Sequence, residues 1–451
     1  MSVLSLLAPA DGYEPRGAPP PLCFGTLGDR QVRLLAGPRA EEGPESLDAH
    51  RRRLGPLELP DDAGEVLDLV GTGGLVGRGG GEFPLLRKLT AAVEGGADPL
   101  VVVNGSEGEP ASRKDRTLIE HRPHLVLDGA EVAARAVGAA EVVLYVHGTR
   151  SVSSTTLAKA LEERGAASSS GPSFRLVAAP AAYVAGESSA VVSVLEGRGP
   201  VPSRRRLPVA AAGVNGRPTV VSNAESISHL ALLTRFGAPW FTAAGTPETP
   251  GSTLLTLAGG VRQPGLVVEV LAPVALGEVL CVHGGVTTPP AAVLIGGYGG
   301  RWVGGAAALE APLDRGALRR AEVPLGCGLI APLPPDTCGL SVTLRLLGYL
   351  AAQSAGQCGP CVLGLPALVH QLSEIVGGRG TRGDIRRLVR QALSLRGRGD
   401  CAHPDGAVVL LESALHVFSE DADRHARGRS CGGSPDGGWF PIPPVLHLRK
   451  S

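Results

Sequence analysis

Between Val66 and about Phe241, short runs rich in β-branched residues (VLDLV, PLVVVN, EVVLYVH, FRLVAA) alternate with stretches whose apolar residues recur at three- and four-residue steps (HLVLDGAEVAARAVG, TTLAKALEER). Few folds accept that order. Successive strands separated by helices pair in parallel, and the helices cover the faces of the sheet. The alternation predicts an α/β unit with a mostly parallel sheet over residues 63–245.

The remaining residues obey other rhythms. Residues 1–62 are rich in Pro, Gly and Arg and read as a leader wrapped on the surface, with one short helix around Leu47 to Leu54. Near Pro250 the runs STLLTLAGGV, GLVVEVL and AAVLIGGY, with the amphipathic LGEVLCVHGG, predict a small mixed sheet carrying one helix, over 246–320. Past Pro335, SVTLRLLGYLAAQ, VLGLPALVHQLSEIV, DIRRLVRQALSL and GAVVLLESALHVF each carry a helical apolar stripe, which predicts a four-helix bundle within 321–420. The polar, Gly/Pro-rich residues 421–451 read as an extended tail.

Composition excludes several function classes. Formal net charge is zero over 451 residues, so there is no electrostatic footprint for nucleic acid. No run of about 18 apolar residues occurs, so the sequence has no candidate spanning helix, and a membrane role requires partner subunits. The N-terminus lacks the basic region of a secretory signal. Eight irregularly scattered Cys do not make a disulfide framework; a paired motif among them favours metal or redox use in a reducing, cytoplasmic setting.

Three features carry chemistry. The run GTGGLVGRGGGEFP, Gly71 to Pro84, precedes a predicted helix; it reads either as a backbone cradle for phosphate, with Arg78 and Lys88 adding charge, or as a glycine-rich surface loop. VVVNGSEGEPASRKDR places Asn104, Glu107 and Glu109 at the C-terminal end of a strand, where open α/β sheets keep ligand crevices, or in a solvated acidic turn. Tyr183, Gly186, Glu187, Asn223 and Glu225 fall in similar turns. Cys358 and Cys361 in QCGPC, with Cys401 in DCAHPDG, have the order of iron-sulfur ligands but number one short of four, because Ala355 occupies the preceding C-x2-C position.

The succession GRGGGEFP, NGSEGEP…KDR, AGESSA…LEGR, GRPTVVSNAES and QCGPC…CAHPDGA resembles the flavoprotein subunit of respiratory complex I, the F-type subunit of NADH-quinone oxidoreductase, from about Leu67 to Phe418. The resemblance implies a flavodoxin-like FMN domain, then a β-grasp domain, then a four-helix domain with a 4Fe-4S cluster. It implies that Gly77, Gly79 and Gly80 approach FMN, with Arg78 in the same loop and Lys88 and Asn104 at the flavin. Glu107, Tyr183, Gly186, Glu187 and Asn223 would line the pocket, Phe83 would offer an aromatic face to NAD(H), and Glu109 would meet the dinucleotide. The implied activity is hydride transfer from NADH to FMN and single-electron transfer to the cluster and a partner subunit, a ferredoxin-like protein or a membrane complex.

Departures from the family pattern fall at these positions. Glu82 stands where the family has glycine, so its carboxylate would crowd the cofactor unless it points away or pairs with Arg78. Ser106 and Ser188 replace acids, Leu89 replaces an aromatic, and the paired asparagines of the fourth motif are Ser222 and Asn223. Three thiolates can hold a 3Fe-4S cluster, or a 4Fe-4S cluster whose fourth iron takes water, a carboxylate, a histidine or another cysteine, Cys431 being one candidate. Cys23, Cys281, Cys327 and Cys338 read as small apolar residues, and His403 as a neighbour of the cluster or a surface group. Two further functions fit the same motifs: an FMN and cluster subunit that does not oxidise NADH, and a non-catalytic scaffold.

Overall fold

The computed structural model describes residues 32–148, 151–165, 171–204, 206–271, 273–435 and 440–443. Cys23 lies outside them. Strands β1 (Leu100–Gly105), β2 (Glu141–His147), β3 (Ser173–Ala179) and β4 (Thr219–Asn223) form a fully parallel sheet in the order β3-β2-β1-β4. Its side chains divide by the period of two. Val101, Val103, Val142, Leu144, Val146 and Val220 point into a core built with the helices Leu85–Glu94, Pro123–Val137 and Ala224–Thr242. Leu100, Val102, Val143, Tyr145 and Val221 point the other way, toward Val191 and Val192 of the helix Ser188–Leu195.

The run VLDLV is not a strand. It belongs to the helix Ala63–Gly73, where Val66, Val70 and Gly73 fall on one buried face. Five apolar-rich residues fit either period, and packing against the helix Ala224–Thr242 decides the outcome: a Cβ at Gly73 would meet Leu233 at 2.8 Å. The predicted helix at Leu47–Leu54 is present. Of the residues before it, the described ones from 32 onward do not simply wrap the surface. Leu34 and Leu35 are fully buried, and the N–H groups of Arg33, Leu34 and Leu35 donate to the buried carboxylate of Glu269 at 2.9–3.1 Å.

A second, mixed sheet contains β5 (Thr253–Leu257), β6 (Leu266–Val270), β7 (Ala292–Ile295), β8 (Arg301–Gly304) and β9 (Leu329–Leu333), in the order β6-β5-β9-β7-β8. Its central strand, β9, falls inside the bounds 321–420 expected for the helical bundle, ahead of the helical stripes that begin past Pro335. One face (Leu255, Val268, Val293, Ile295, Ile330) packs on the helix Leu276–Val282. The other (Leu294, Leu329, Ala331, Leu333) shares a core with the helices Gly339–Ala352, Leu365–Val376, Arg382–Leu393 and His403–Val417. The tail is not extended throughout: Ser419–His425 is one more helix, and Phe440 and Ile442 are buried against the bundle.

Candidate functional site

The strand order fixes where a crevice opens. From β1 the backbone steps outward through β2 and β3, then returns to β4 on the other side of β1, so the connections diverge between β1 and β4. Asn104 and Asn223 are paired in register at the C-terminal ends of those two strands, Asn104 one residue before the end of β1. Asn104 Nδ2 donates to the Gly186 carbonyl at 2.8 Å, and its Oδ1 accepts from the Ser106 N–H at 3.2 Å and Oγ at 2.7 Å. A Cβ at Gly186 would lie 2.9 Å from Ser106 Oγ, so glycine there lets the 183–186 turn sit on Asn104.

The glycine loop folds back on itself: Gly77 N–H donates to the Phe83 carbonyl at 2.9 Å, and Val76 bridges Pro84. At Gly79, Gly80 and Gly81 a Cβ would meet nothing within 4 Å, so the loop backbone faces open space. Arg78 is fully buried. Its N–H donates to Ser226 Oγ at 2.8 Å and its Nη2 to the Pro250 carbonyl, while Nε and Nη1 have no partner. Burial, and then the like charge of Arg315, lower its pKa to about 10. Lys88 Nζ donates to the Val221 carbonyl at 2.9 Å, and burial lowers its pKa to about 8. Phe83 is 47% exposed at the rim of the loop. An open glycine backbone with buried positive charge behind it suits a phosphate-bearing group.

Glu82 does not crowd this space, nor does it pair with Arg78. Its carboxylate reaches Arg315 at 2.8 Å and Arg319 at 3.4 Å, on the helix Arg315–Arg320, which turns it away from the loop interior. Leu89 is fully buried in the core of the parallel sheet, so its replacement of an aromatic alters packing rather than the crevice.

The acidic residues divide. Glu107, at φ 38°, accepts from Ser112 Oγ (2.6 Å) and from the N–H groups of Asp115 (3.3 Å) and Arg116 (3.1 Å), capping the helix Lys114–His121. Glu187 caps its own helix through the N–H groups of Ser189 (2.9 Å) and Ala190 (3.1 Å), and Ser188 is the first residue of that helix. Both carboxylates are thus held by helix starts. Glu109 is different: Oε2 accepts from Tyr183 Oη (3.2 Å) and Tyr298 N–H (2.8 Å), whereas buried Oε1 has no partner. Burial pushes its pKa up to about 8, against those hydrogen bonds.

Sequence motifs left Lys114, Asp115 and Arg315 without a role. Lys114 Nζ is 2.7 Å from Asp115 and 2.9 Å from Glu225, and all three are buried. Asp115 Oδ1 accepts from Asn223 Nδ2 (2.9 Å) and Glu225 N–H (2.8 Å), and Glu225 Oε1 accepts from Leu254 N–H (2.9 Å), tying the crevice to β5 of the second sheet. The only signal was the charged run RKDR inside an otherwise glycine-rich motif.

Cys358, Cys361 and Cys401 line one recess of about 240 Å³, counted with its open mouth, together with Val184, Ala355, Asp400 and His403. Cys361 is the second residue of the turn Pro360–Gly364, and Cys401 accepts a hydrogen bond from the His403 N–H. Burial, then Cys358, raises the Cys361 thiol; burial raises that of Cys401. Three sulfurs and a carboxylate around one recess are a donor set that fits an iron-sulfur cluster. His403 is buried rather than on the surface, with Nε2 donating to the Leu350 carbonyl at 2.7 Å. Cys431 is not among the residues lining the recess; it lies against Cys338 and His425.

One turn joins the two places. In Tyr183–Gly186, Gly186 receives Asn104 at the crevice, Val184 lines the cysteine recess, and the Tyr183 ring meets His403 with centroids 5.4 Å apart.

Comparison with known proteins agrees with both places. Residues 70–232 match the Nuo51 FMN-binding domain, and residues 341–425 match the NADH-ubiquinone oxidoreductase-F iron-sulfur binding region. The chain is 31% identical over 396 residues to the second F-type subunit of NADH-quinone oxidoreductase of Rhizobium meliloti (strain 1021), covering 85% of this chain and 93% of that one. It is 28% identical over 426 residues to the HndC subunit of the NADP-reducing hydrogenase of Solidesulfovibrio fructosivorans, covering 90% and 86%. Among solved structures, a chain of an NAD+-reducing NiFe hydrogenase in the H2-reduced state superimposes with a TM-score of 0.75 at 28% identity. That match covers 81% of this chain and 63% of the hydrogenase chain, so this chain spans less than two thirds of that one.

Proposed function

The chain belongs to the family of F-type subunits of NADH-quinone oxidoreductase, and from that premise we propose that it accepts electrons from NADH at an FMN held in the β1/β4 crevice and passes them through an iron-sulfur cluster to a partner protein. FMN, when bound, supplies the step from two-electron to one-electron chemistry. The observation that carries this reading is the Tyr183–Gly186 turn, one end of which backs the crevice while the other lines the cysteine recess.

In this reading Gly77, Gly79 and Gly80 bring backbone against the cofactor, and the unpaired Nε and Nη1 of Arg78 with the Lys88 ammonium counter its phosphate charge. Asn104, Asn223 and Gly186 shape the floor, and Glu107 and Glu187 fix it indirectly by capping the helices that flank it. Phe83 offers its exposed ring to the nicotinamide dinucleotide. Glu109, held by Tyr183 and the Tyr298 N–H, is protonated near neutral pH. Cys358, Cys361 and Cys401 supply three thiolates, and Asp400, on the same recess as Ala355, supplies the fourth donor of a 4Fe-4S cluster. Residues 63–245 then serve FMN and NADH, 246–320 with β9 the β-grasp layer, and 321–420 the cluster. Among the described residues no helix is long and apolar enough to cross a membrane. We place the protein in the cytoplasm, bound through an electron-transfer partner.

Anaerobic purification, an absorption spectrum, an iron count and an NADH titration test this. Flavin bands that NADH bleaches, with iron present, support the proposal. Flavin that NADH leaves unbleached favours an FMN and cluster subunit supplied by protein partners, and a colourless, iron-free protein refutes both.

A further inference from the structure

Cys338, His425 and Cys431 come from three separate segments: the residue preceding the helix Gly339–Ala352, the end of the helix Ser419–His425, and the tail beyond it. Their ligand atoms all lie within 4.8 Å of one another, and Cys338 Sγ is 3.5 Å from His425 Nε2. Asp421, one helical turn before His425, is near enough for its charge to act on His425 and Cys431 but does not belong to that 4.8 Å group. We propose that Cys338, His425 and Cys431 hold a structural zinc ion, separate from the cluster recess, whose fourth ligand is a water or the nearby Asp421, and that the ion fastens the C-terminal tail to the helical bundle.

The geometry selects the ion. With Zn–S bonds of about 2.3 Å and Zn–N bonds of about 2.0 Å, a tetrahedron has S···N edges of about 3.5 Å, the separation already present between Cys338 and His425. Two sulfurs and one imidazole, with an oxygen donor to complete four, suit a borderline-soft dication. Such a site holds a single ion, and binding would release the thiol protons to solvent.

The backbone around the sulfurs is laced independently of them. Cys338 N–H donates to the Ser434 carbonyl at 2.9 Å, Ser434 N–H to the Asp336 carbonyl at 2.7 Å, and Thr337 pairs with Ser434 in a parallel bridge. Gly433 is required for that approach, because a Cβ there would lie 2.6 Å from Cys338 N. Cys431 Sγ also accepts from the Gly433 N–H, the kind of bond that steadies a metal thiolate. Further along the tail, Tyr298 Oη donates to the Pro441 carbonyl and Phe440 is buried, so fastening Cys431 holds a segment that covers the bundle core. Tyr298 N–H in turn binds Glu109.

The test uses the full-length protein, purified anaerobically, with zinc and iron measured together by elemental mass spectrometry. The expected result is about one zinc per chain besides the cluster iron, with zinc lost and iron kept in Cys431→Ser and in His425→Gln. Zinc that survives both substitutions, or iron lost in parallel with zinc, overturns the proposal. Where a variant does not fold, the unaltered protein stripped of zinc is titrated with Co2+. Intense visible bands of tetrahedral thiolate-bound cobalt are expected, and their absence overturns the proposal, as does a Cys338–Cys431 disulfide found by mass spectrometry in protein kept under reducing conditions.

Discussion

Replacing Glu82 by glycine restores the residue the family pattern expects, and the structure gives two opposed consequences. Glu82 sits at φ 45°, a left-handed conformation that costs an L-residue about 1–2 kcal/mol, so glycine relieves that strain. The same change strips the carboxylate from Arg315, whose guanidinium is 1% exposed and whose Nε and Nη2 already lack partners. Removing one member of a buried pair costs about 3–5 kcal/mol. The second effect wins, and Glu82→Gly should destabilise the protein by about 2 kcal/mol, about a thirtyfold shift in the folded-to-unfolded ratio. Glu82→Gln, which keeps the strain, should cost more than Glu82→Gly. Adding Arg315→Met to Glu82→Gly should recover about 1 kcal/mol or more, because the orphaned charge is gone. Urea denaturation of the apoprotein, followed by tryptophan fluorescence, measures all three. If Glu82→Gly is as stable as the natural protein, or if the second substitution adds its own full penalty, the buried pair is not what holds Glu82 in place.

Three other outcomes can be checked with further variants. Because burial raises the Glu109 pKa from 4.5 to about 8, its contribution to stability is complete below about pH 4.5 and is lost as pH rises through 8; the natural protein should lose about 1.4 kcal/mol per pH unit relative to Glu109→Gln across that window, and parallel denaturation curves would refute this. A Cβ at Gly108 would lie 2.2 Å from the Tyr183 carbonyl oxygen, so Gly108→Ala should displace the turn that joins crevice and recess, costing about 1–3 kcal/mol and lowering the flavin-to-protein absorbance ratio; full flavin content would count against the assigned pocket. Asp400→Ala should leave about three irons per chain with the paramagnetic signature of a 3Fe-4S cluster, and adding Ala355→Cys should return the count to about four; an unchanged count in Asp400→Ala removes Asp400 from the ligand set.

What could be read in the sequence was what local periodicity encodes. β1, β2 and β3, the four bundle helices and the Leu47–Leu54 helix all carry a repeat of two or of three to four within their own residues. The misplaced elements depend on distant partners. VLDLV became helical because its Val66 and Val70 face must pack on the helix Ala224–Thr242, and the segment at Leu34 is buried because Glu269, more than 230 residues away, accepts its N–H groups. At the candidate site, the glycine loop, Asn104, Asn223 and the three recess cysteines were legible as motifs. Glu82 was not, since its partner Arg315 lies 233 residues on, and neither was the grouping of Cys338 with His425, 87 residues apart with no metal-ligand spacing. Glu107 and Glu187 show the complementary limit: a carboxylate in a turn motif looks the same in sequence whether it faces a ligand or caps a helix.

The central claim is that the crevice and the recess are two stations of one electron path. Rapid mixing of the anaerobic protein with NADH, followed by freezing and electron paramagnetic resonance, tests it most directly, with flavin absorbance recorded in parallel. The account predicts that flavin bleaching is followed by a change in the iron-sulfur signal, and that Cys358→Ser keeps the bleaching while losing that signal. Bleaching with an iron-sulfur signal that never responds, in protein whose iron content is intact, would contradict it.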